Sequence, residues 1–141
     1  MPGYLLDANV LIALAWPEHT AYEKCSRWFG QNARAGWATC PITQAALVRI
    51  LSNPTFSERA LSPSEALQVL SQNLELAGHQ FWSDSIDLRQ AMESMRTSLT
   101  GHQQITDAYL VALAIHNRGK LATLDRKIVQ LAPAGSVEVV A

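Results

Sequence analysis

Short apolar runs alternate with longer segments of helical character along this chain, and this alternation most constrains its fold. The runs begin at Gly3, Trp37, Gln80, Lys120 and Val137. Strands that alternate with helices form parallel sheets, because each helix returns the chain to the edge where the next strand begins. We therefore predict an α/β fold, with three α/β/α layers around a central parallel sheet. The length of 141 residues predicts one domain, spanning 1–141.

Capping residues and stop signals predict where the helices begin and end. The first helix is expected to be capped by Asn9 and to end before Pro17. Capping-box patterns lie at 20–23 and 62–65, and the second has a proline at its first helical position. Other helix starts are expected at Thr43, at Ser83 or Asp84, at Thr106 and at Asp125, and helix ends at Gly78, about Thr97 and Arg118-Gly119.

Composition excludes several classes of protein. The net charge of −1 is too small for a protein that coats nucleic acid through bulk charge. The longest apolar run, 10–16, is far shorter than the ~20 residues that span a bilayer, and the N-terminus lacks the basic region of a secretory signal. Cys25 and Cys40 are too few for a disulfide framework, so we expect buried, reduced thiols in a cytoplasmic protein.

Polar side chains follow the predicted strands on one edge of the sheet. Asp7 and Asp125 come directly after strands, and Gln44 and Asp107 lie in the first turns of helices. Right-handed strand–helix connections place helix N-termini at the carboxyl ends of strands, where ligands bind in open α/β sheets. We therefore expect these four side chains to converge.

Taken singly, three of these residues have ordinary structural explanations. Asp107 can complement a helix dipole, Asp125 can cap a helix, and Gln44 can be a plain first-turn residue. Asp7 is different, because it lies between Leu5-Leu6 and an almost entirely apolar helix, and a buried carboxylate needs a partner. Three carboxylates without a nearby cation would be stabilised by Mg²⁺ or Mn²⁺, which prefer oxygen ligands.

Other chemistry-bearing residues give weaker signals. The four histidines lack the spacing of a metal pair and are interpreted as surface or loop residues; they are His19, His79, His102 and His116. Asp84 and Asp87 flank a helix start and are expected to be caps. No serine lies in a nucleophile elbow, and no glycine-rich loop could hold a phosphate.

Four segments together resemble the PIN-domain ribonucleases, and in particular the VapC-type toxins of prokaryotic toxin–antitoxin pairs. They are LLDANVLI at 5–12, WATCPITQAALVR at 37–49 with Asn53-Pro54, TDAYLVALA at 106–114 and ATLD at 122–125. The resemblance implies an endoribonuclease in which Asp7, Asp107 and Asp125 hold Mg²⁺ or Mn²⁺. Asn9 and Thr123 would support that site. It also implies water attack giving a 5′-phosphate and a 3′-hydroxyl, an RNA substrate, an antitoxin partner and a homodimer.

One position departs from the family pattern, because many PIN domains have a glutamate where this chain has Gln44. Its carbonyl oxygen can still bind a water that the metal holds, but we expect weaker metal affinity. The alternative is a weak or inactive PIN-like module that binds metal, RNA or a partner. A phosphatase with an aspartyl nucleophile is disfavoured, because the second acid expected two residues after Asp7 is Asn9. A receiver-like domain is disfavoured because the paired acids expected at the first strand end are missing.

Overall fold

Five short strands form one sheet within residues 3–95 and 101–141, the ranges that a computed structural model of the chain describes. The strands are β1 (Tyr4–Leu6), β2 (Trp37–Thr39), β3 (His79–Phe81), β4 (Lys120–Thr123) and β5 (Val137–Val139). Their order is β3-β2-β1-β4-β5, and every neighbouring pair is parallel. The predicted central parallel sheet is confirmed.

Helices cover both faces of this sheet. They are α1 (Ala8–Ala15), α2 (Tyr22–Asn32), α3 (Pro41–Leu51), α4 (Pro63–Leu74), α5 (Leu88–Ser94), α6 (Ile105–His116) and α7 (Ile128–Leu131), with short 3-10 helices at Ala33–Ala35 and His102–Gln104. Leu5 packs into the core beneath α5, α6 and α7, whereas Leu6 packs into the core beneath α1 to α4. Successive strand side chains point to opposite faces, so β1 contributes to both cores and the three-layer prediction is confirmed.

Several predicted helix starts are wrong by one to a few residues. Asp7, and not Asn9, caps α1, because its carboxylate accepts a hydrogen bond from the Ala8 amide. The helix α2 begins at Tyr22 after Ala21, without a side-chain cap from Thr20. The helix α3 begins at Pro41, and α6 begins at Ile105 directly after a 3-10 turn.

Other boundaries follow the sequence signals more closely. The Ser62–Glu65 capping box is confirmed, with both reciprocal hydrogen bonds formed, but α4 ends at Leu74, before Gly78. Asp87 caps α5 in place of Ser83 or Asp84. The predicted end of that helix near Thr97 lies outside the described residues.

Further expectations can be compared with the described ranges. Cys25 and Cys40 are both buried free thiols, as predicted. No helix in residues 3–95 or 101–141 combines the length and the apolar character needed to cross a membrane.

Gly119 allows α6 to join β4 closely, and its substitution tests that packing. A Cβ there would lie 2.3 Å from the Gly3 carbonyl oxygen and 2.7 Å from the Trp82 ring. The Gly3 carbonyl cannot move freely, because it accepts a hydrogen bond from the Lys120 amide. We expect Gly119→Ala to lower the free energy of unfolding by about 2–3 kcal/mol, measured by urea denaturation.

The matched control for that variant is Gly30→Ala. Gly30 lies within α2, and nothing lies within 4 Å of the Cβ position there. Alanine favours a helix interior over glycine by about 0.5–1 kcal/mol, so this variant should be slightly more stable. Equal stability of the two variants would contradict the close packing assigned to Gly119.

Candidate functional site

Asp7 lies at the carboxyl end of β1, where the sheet and α1 fix both its backbone and its side chain. Its amide donates to the Ala122 carbonyl at 2.9 Å, which continues the pairing of β1 with β4. Its carboxylate Oδ1 accepts from the Ala8 amide at 2.8 Å. Only 7% of the residue is exposed. The Asp7 carboxylate is therefore buried at the edge where the sequence predicts a site.

Thr123 connects Asp7 to the turn that follows β4. Its fully buried hydroxyl donates to Asp7 Oδ2 at 2.7 Å and accepts from Asn9 Nδ2 at 3.2 Å and from the Asp125 amide at 3.1 Å. Asn9 Oδ1 also accepts from the Leu124 amide at 3.1 Å. Hydrogen bonds thus bring together four of the six predicted site residues.

Asp107 and Asp125 are the carboxylates that interact electrostatically with Asp7. Asp107 lies in the first turn of α6 and is partly buried. Burial raises the pKa of the Asp107 carboxyl to about 6, and the negative charges of Asp7 and Asp125 contribute to that rise. Asp125 is partly exposed, and its Oδ1 accepts from the Lys127 amide at 2.9 Å. The three carboxylates therefore form one electrostatically coupled group.

Burial also raises the pKa of the Asp7 carboxyl, although hydrogen bonds from Thr123 and Ala8 act in the opposite direction. The charge of Asp125 adds to the rise. Desolvation and like charges both favour the neutral form of a carboxyl group. Ionised carboxylates at this edge of the sheet therefore lower the free energy of unfolding.

The donors at this edge of the sheet are carboxylates, which are the side chains that bind hard divalent cations. The ion pair found within residues 3–95 and 101–141 joins Arg59 to Glu18, two exposed side chains, and so does not neutralise the carboxylates. The same ranges contain no group of three or more His, Cys, Asp or Glu side chains already arranged around one ion position. Carboxylate oxygens are nevertheless the ligands that Mg²⁺ prefers, and a cation would offset the repulsion that, together with burial, raises the pKa of Asp107.

Gln44 has partners that the sequence analysis missed. It lies in the first turn of α3, and its Nε2 donates to Thr39 Oγ1 at 2.9 Å. Thr39 Oγ1 also lies 2.8 Å from His79 Nε2. None of the hydrogen bonds within the described ranges joins the Gln44 side chain to a carboxylate. Thr39 is a polar residue at the end of the buried strand β2, and that position is the sequence signal that could have identified it.

The interpretation of the histidines as surface or loop residues is confirmed for His116, which is exposed, and for His19, which lies between α1 and α2. His79 begins β3, is partly buried and packs its ring against Trp37 at a centroid distance of 4.7 Å, so its interpretation as a surface or loop residue is wrong. His102 is exposed, as expected. No local pattern distinguishes His79 from the other histidines, because its partner Thr39 is 40 positions away.

The Thr123 hydroxyl offers a direct test of this geometry. Valine has nearly the same shape but cannot donate to the Asp7 carboxylate, so we expect Thr123→Val to lower the free energy of unfolding by about 1–3 kcal/mol. Thr123→Ser keeps the hydroxyl and should lose less than half as much. Urea denaturation of both variants measures the difference, and equal losses would contradict a role for the hydrogen bond.

Comparison with known proteins agrees with this architecture. The family model described as PIN domain matches residues 4–133 of the chain. The chain belongs to the PIN domain family. The matched range contains the four segments on which the resemblance rests, together with Thr39 and His79.

Relatives of this PIN domain include VapC ribonucleases of Mycobacterium tuberculosis. The chain is 43% identical to Ribonuclease VapC39 over 135 residues, which cover 96% of this chain and 97% of that protein. It is 38% identical to Ribonuclease VapC38 over 128 residues, which cover 91% of this chain and 89% of that protein. The resemblance to VapC-type proteins is thereby confirmed.

Solved structures share the fold of this PIN domain at low sequence identity. One is Mycobacterium tuberculosis VapC20, described as a Sarcin-Ricin loop cleaving toxin, with a TM-score of 0.70, 15% identity and coverage of 99% of this chain and 100% of that one. Another is VapBC2 from Rickettsia felis bound to a DNA fragment from its promoter, with a TM-score of 0.65, 16% identity and coverage of 96% and 97%.

Proposed function

We propose that this PIN domain is a Mg²⁺- or Mn²⁺-dependent endoribonuclease and the toxin component of a toxin–antitoxin pair, acting in the cytoplasm. The observation that carries the proposal is the coupled group of Asp7, Asp107 and Asp125, which lacks a neutralising side-chain cation among the described residues. The names of its VapC relatives support the same reaction class.

The proposed roles follow from the contacts of each side chain. Asp7, Asp107 and Asp125 would hold the cation. When bound, a divalent ion supplies a Lewis acid that activates water for attack on a phosphodiester. Thr123 and Asn9 keep the Asp7 carboxylate and the turn after β4 in fixed positions through their hydrogen bonds. Hydrolysis by water would leave a 5′-phosphate and a 3′-hydroxyl.

RNA binding would depend on exposed basic side chains beside the carboxylates. Arg126 and Lys127 directly follow Asp125, Arg49 lies on α3, and all three are exposed. We propose that a homodimer gathers them around a groove, because phosphate contacts provide most of the affinity for RNA. An antitoxin would be the protein partner, which the VapBC2 structure supports by its name.

Charge reversal tests this surface. Replacing Arg49, Arg126 and Lys127 by glutamate should weaken RNA binding and reduce the slope of log affinity against log salt by about 0.7 for each phosphate that is no longer neutralised. Fluorescence anisotropy at several salt concentrations measures both quantities. An unchanged slope would remove these residues from the proposed groove.

A non-catalytic module that binds metal, RNA or a partner is the second candidate. The observation that favours it is Gln44, an amide where many PIN domains have an acid, with its Nε2 engaged by Thr39. The two candidate functions differ in whether the protein cleaves RNA. Purified protein should cleave a mixed RNA pool in Mg²⁺ or Mn²⁺ and lose that activity in EDTA; binding without cleavage in either metal would favour the second candidate.

A further inference from the structure

The Gln44 side chain is held by a hydrogen-bond chain that crosses from α3 through β2 to β3. Gln44 Nε2 donates to Thr39 Oγ1 at 2.9 Å, and Thr39 Oγ1 lies 2.8 Å from His79 Nε2. Thr39 has no exposed surface, whereas Gln44 and His79 are partly buried. Each of the three side chains comes from a different element of the fold.

The number of protons available determines which group donates in each hydrogen bond of this series. A hydroxyl can accept two hydrogen bonds but has one proton to donate, and Thr39 accepts from the amide of Gln44. Thr39 is fully buried, so its proton needs an acceptor, and His79 Nε2 is the side-chain atom within reach that can accept it. Nε2 is then the unprotonated nitrogen of a neutral ring. Burial lowers the pKa of His79, which favours that neutral form. Its ring is also held by packing against Trp37.

We propose that Thr39 and His79 are positioning residues that fix the Gln44 amide with its nitrogen on Thr39 and its oxygen free. No side chain or amide within the described ranges donates to Gln44 Oε1. This oxygen would accept a hydrogen bond from a water molecule held by the cation, at the position where many PIN domains have a carboxylate. That role rests on the proposed function, whereas the orientation of the amide does not.

The same hydrogen bonds explain why glutamine and glutamate are not equivalent at position 44. A glutamate at position 44 can only accept, so Thr39 would donate to it and leave His79 without a donor. The proton on His79 would then have to move to Nε2 to keep the contact with Thr39. Gln44→Glu is therefore expected to reverse the direction of the whole chain.

Nitrogen-15 NMR of the His79 ring tests this inference without RNA or metal, because the two neutral tautomers have distinct shifts. In the unsubstituted protein at pH 8 we expect the Nδ1–H tautomer. In Gln44→Glu we expect proton occupancy to move to Nε2. An Nε2–H tautomer in the unsubstituted protein, or no change in Gln44→Glu, would overturn the proposal.

Titration with Mn²⁺ alone tests the role of the freed oxygen. Thr39→Val removes the hydroxyl, and one missing hydrogen bond of about 0.5–1.5 kcal/mol predicts a roughly 2- to 12-fold weaker affinity for Mn²⁺. Thr39→Ser keeps the hydroxyl and should restore both the affinity and the His79 tautomer. Equal affinity in Thr39→Val would overturn the positioning role.

Failure of the proposed function has a different signature from failure of this inference. If the unsubstituted protein binds no Mn²⁺, the metal site is wrong, yet the His79 tautomer still decides whether the amide is oriented as described. If Thr39→Val does not fold, the tautomers of the unsubstituted protein, Thr39→Ser and Gln44→Glu still give the answer.

Discussion

Asp107→Asn should unfold at a higher temperature than the unsubstituted protein at pH 7.5 in EDTA. Burial and the charges of Asp7 and Asp125 raise the pKa of Asp107 from 3.8 to about 6. The folded state therefore binds an extra proton between these values, and that stability is lost as the pH rises through about 6. Because Asp107 is only partly buried, we expect a gain of about 1–2 kcal/mol, or a few degrees in Tm, from the neutral amide.

The pH dependence separates this electrostatic effect from a change in packing. At pH 4 or below, Asp107 is mostly protonated in the folded state, so the advantage of the amide should shrink. Asp87→Asn is the matched control, because Asp87 caps α5 and asparagine caps a helix equally well. Differential scanning fluorimetry at pH 4 and 7.5 provides the measurement. A variant that is less stable than the unsubstituted protein at pH 7.5 would contradict the proposed repulsion.

Asp7→Asn should lower metal-dependent RNA cleavage by at least about 100-fold. Asparagine has the same size and can still accept from the Ala8 amide, so the cap of α1 is kept. Its amide nitrogen would face the Thr123 hydroxyl, which already accepts from Asn9 and from the Asp125 amide, so the hydrogen bond from Thr123 is lost unless the amide turns its oxygen there. The change removes a charge from the carboxylate group at a cost in stability, so circular dichroism must show that the variant is folded under the assay conditions.

A contaminating nuclease is the main alternative source of cleavage in that assay. Asp87→Asn, purified in the same way, should retain full activity, because its carboxylate caps a helix and does not belong to the coupled group. Cleavage by Asp7→Asn equal to that by Asp87→Asn would mean that the activity does not come from the carboxylate group. Cleavage measured by gel electrophoresis of a defined RNA set distinguishes these results.

The edge of the sheet that holds the carboxylates could be predicted, because it follows from topology. Strands that alternate with helices place Asp7, Asp107 and Asp125 at the same edge of a parallel sheet whatever the exact helix starts are. Errors of a few residues, such as the start of α6 at Ile105, do not move a side chain to the opposite edge. The edge at which these residues lie could therefore be predicted even though the predicted helix starts were imprecise.

Hydrogen bonds between distant residues could not be predicted in the same way. Asparagine is a residue type that often caps helices. The side chain of Asn9 instead forms hydrogen bonds with Thr123 and with the Leu124 amide, more than 100 positions away. Asp7 takes the capping role instead. The link from Gln44 through Thr39 to His79 likewise depends on the pairing of β2 with β3, and no spacing pattern in the sequence encodes it.

Direct titration with Mn²⁺, followed by electron paramagnetic resonance, tests most directly whether the three carboxylates form one metal site. The unsubstituted protein and Asp87→Asn should bind Mn²⁺ with equal affinity. Asp7→Asn and Asp107→Asn should each lose that binding, because each removes a charged oxygen ligand from the same coupled group. Equal Mn²⁺ binding by all four proteins would contradict the metal site and, with it, the proposed ribonuclease mechanism.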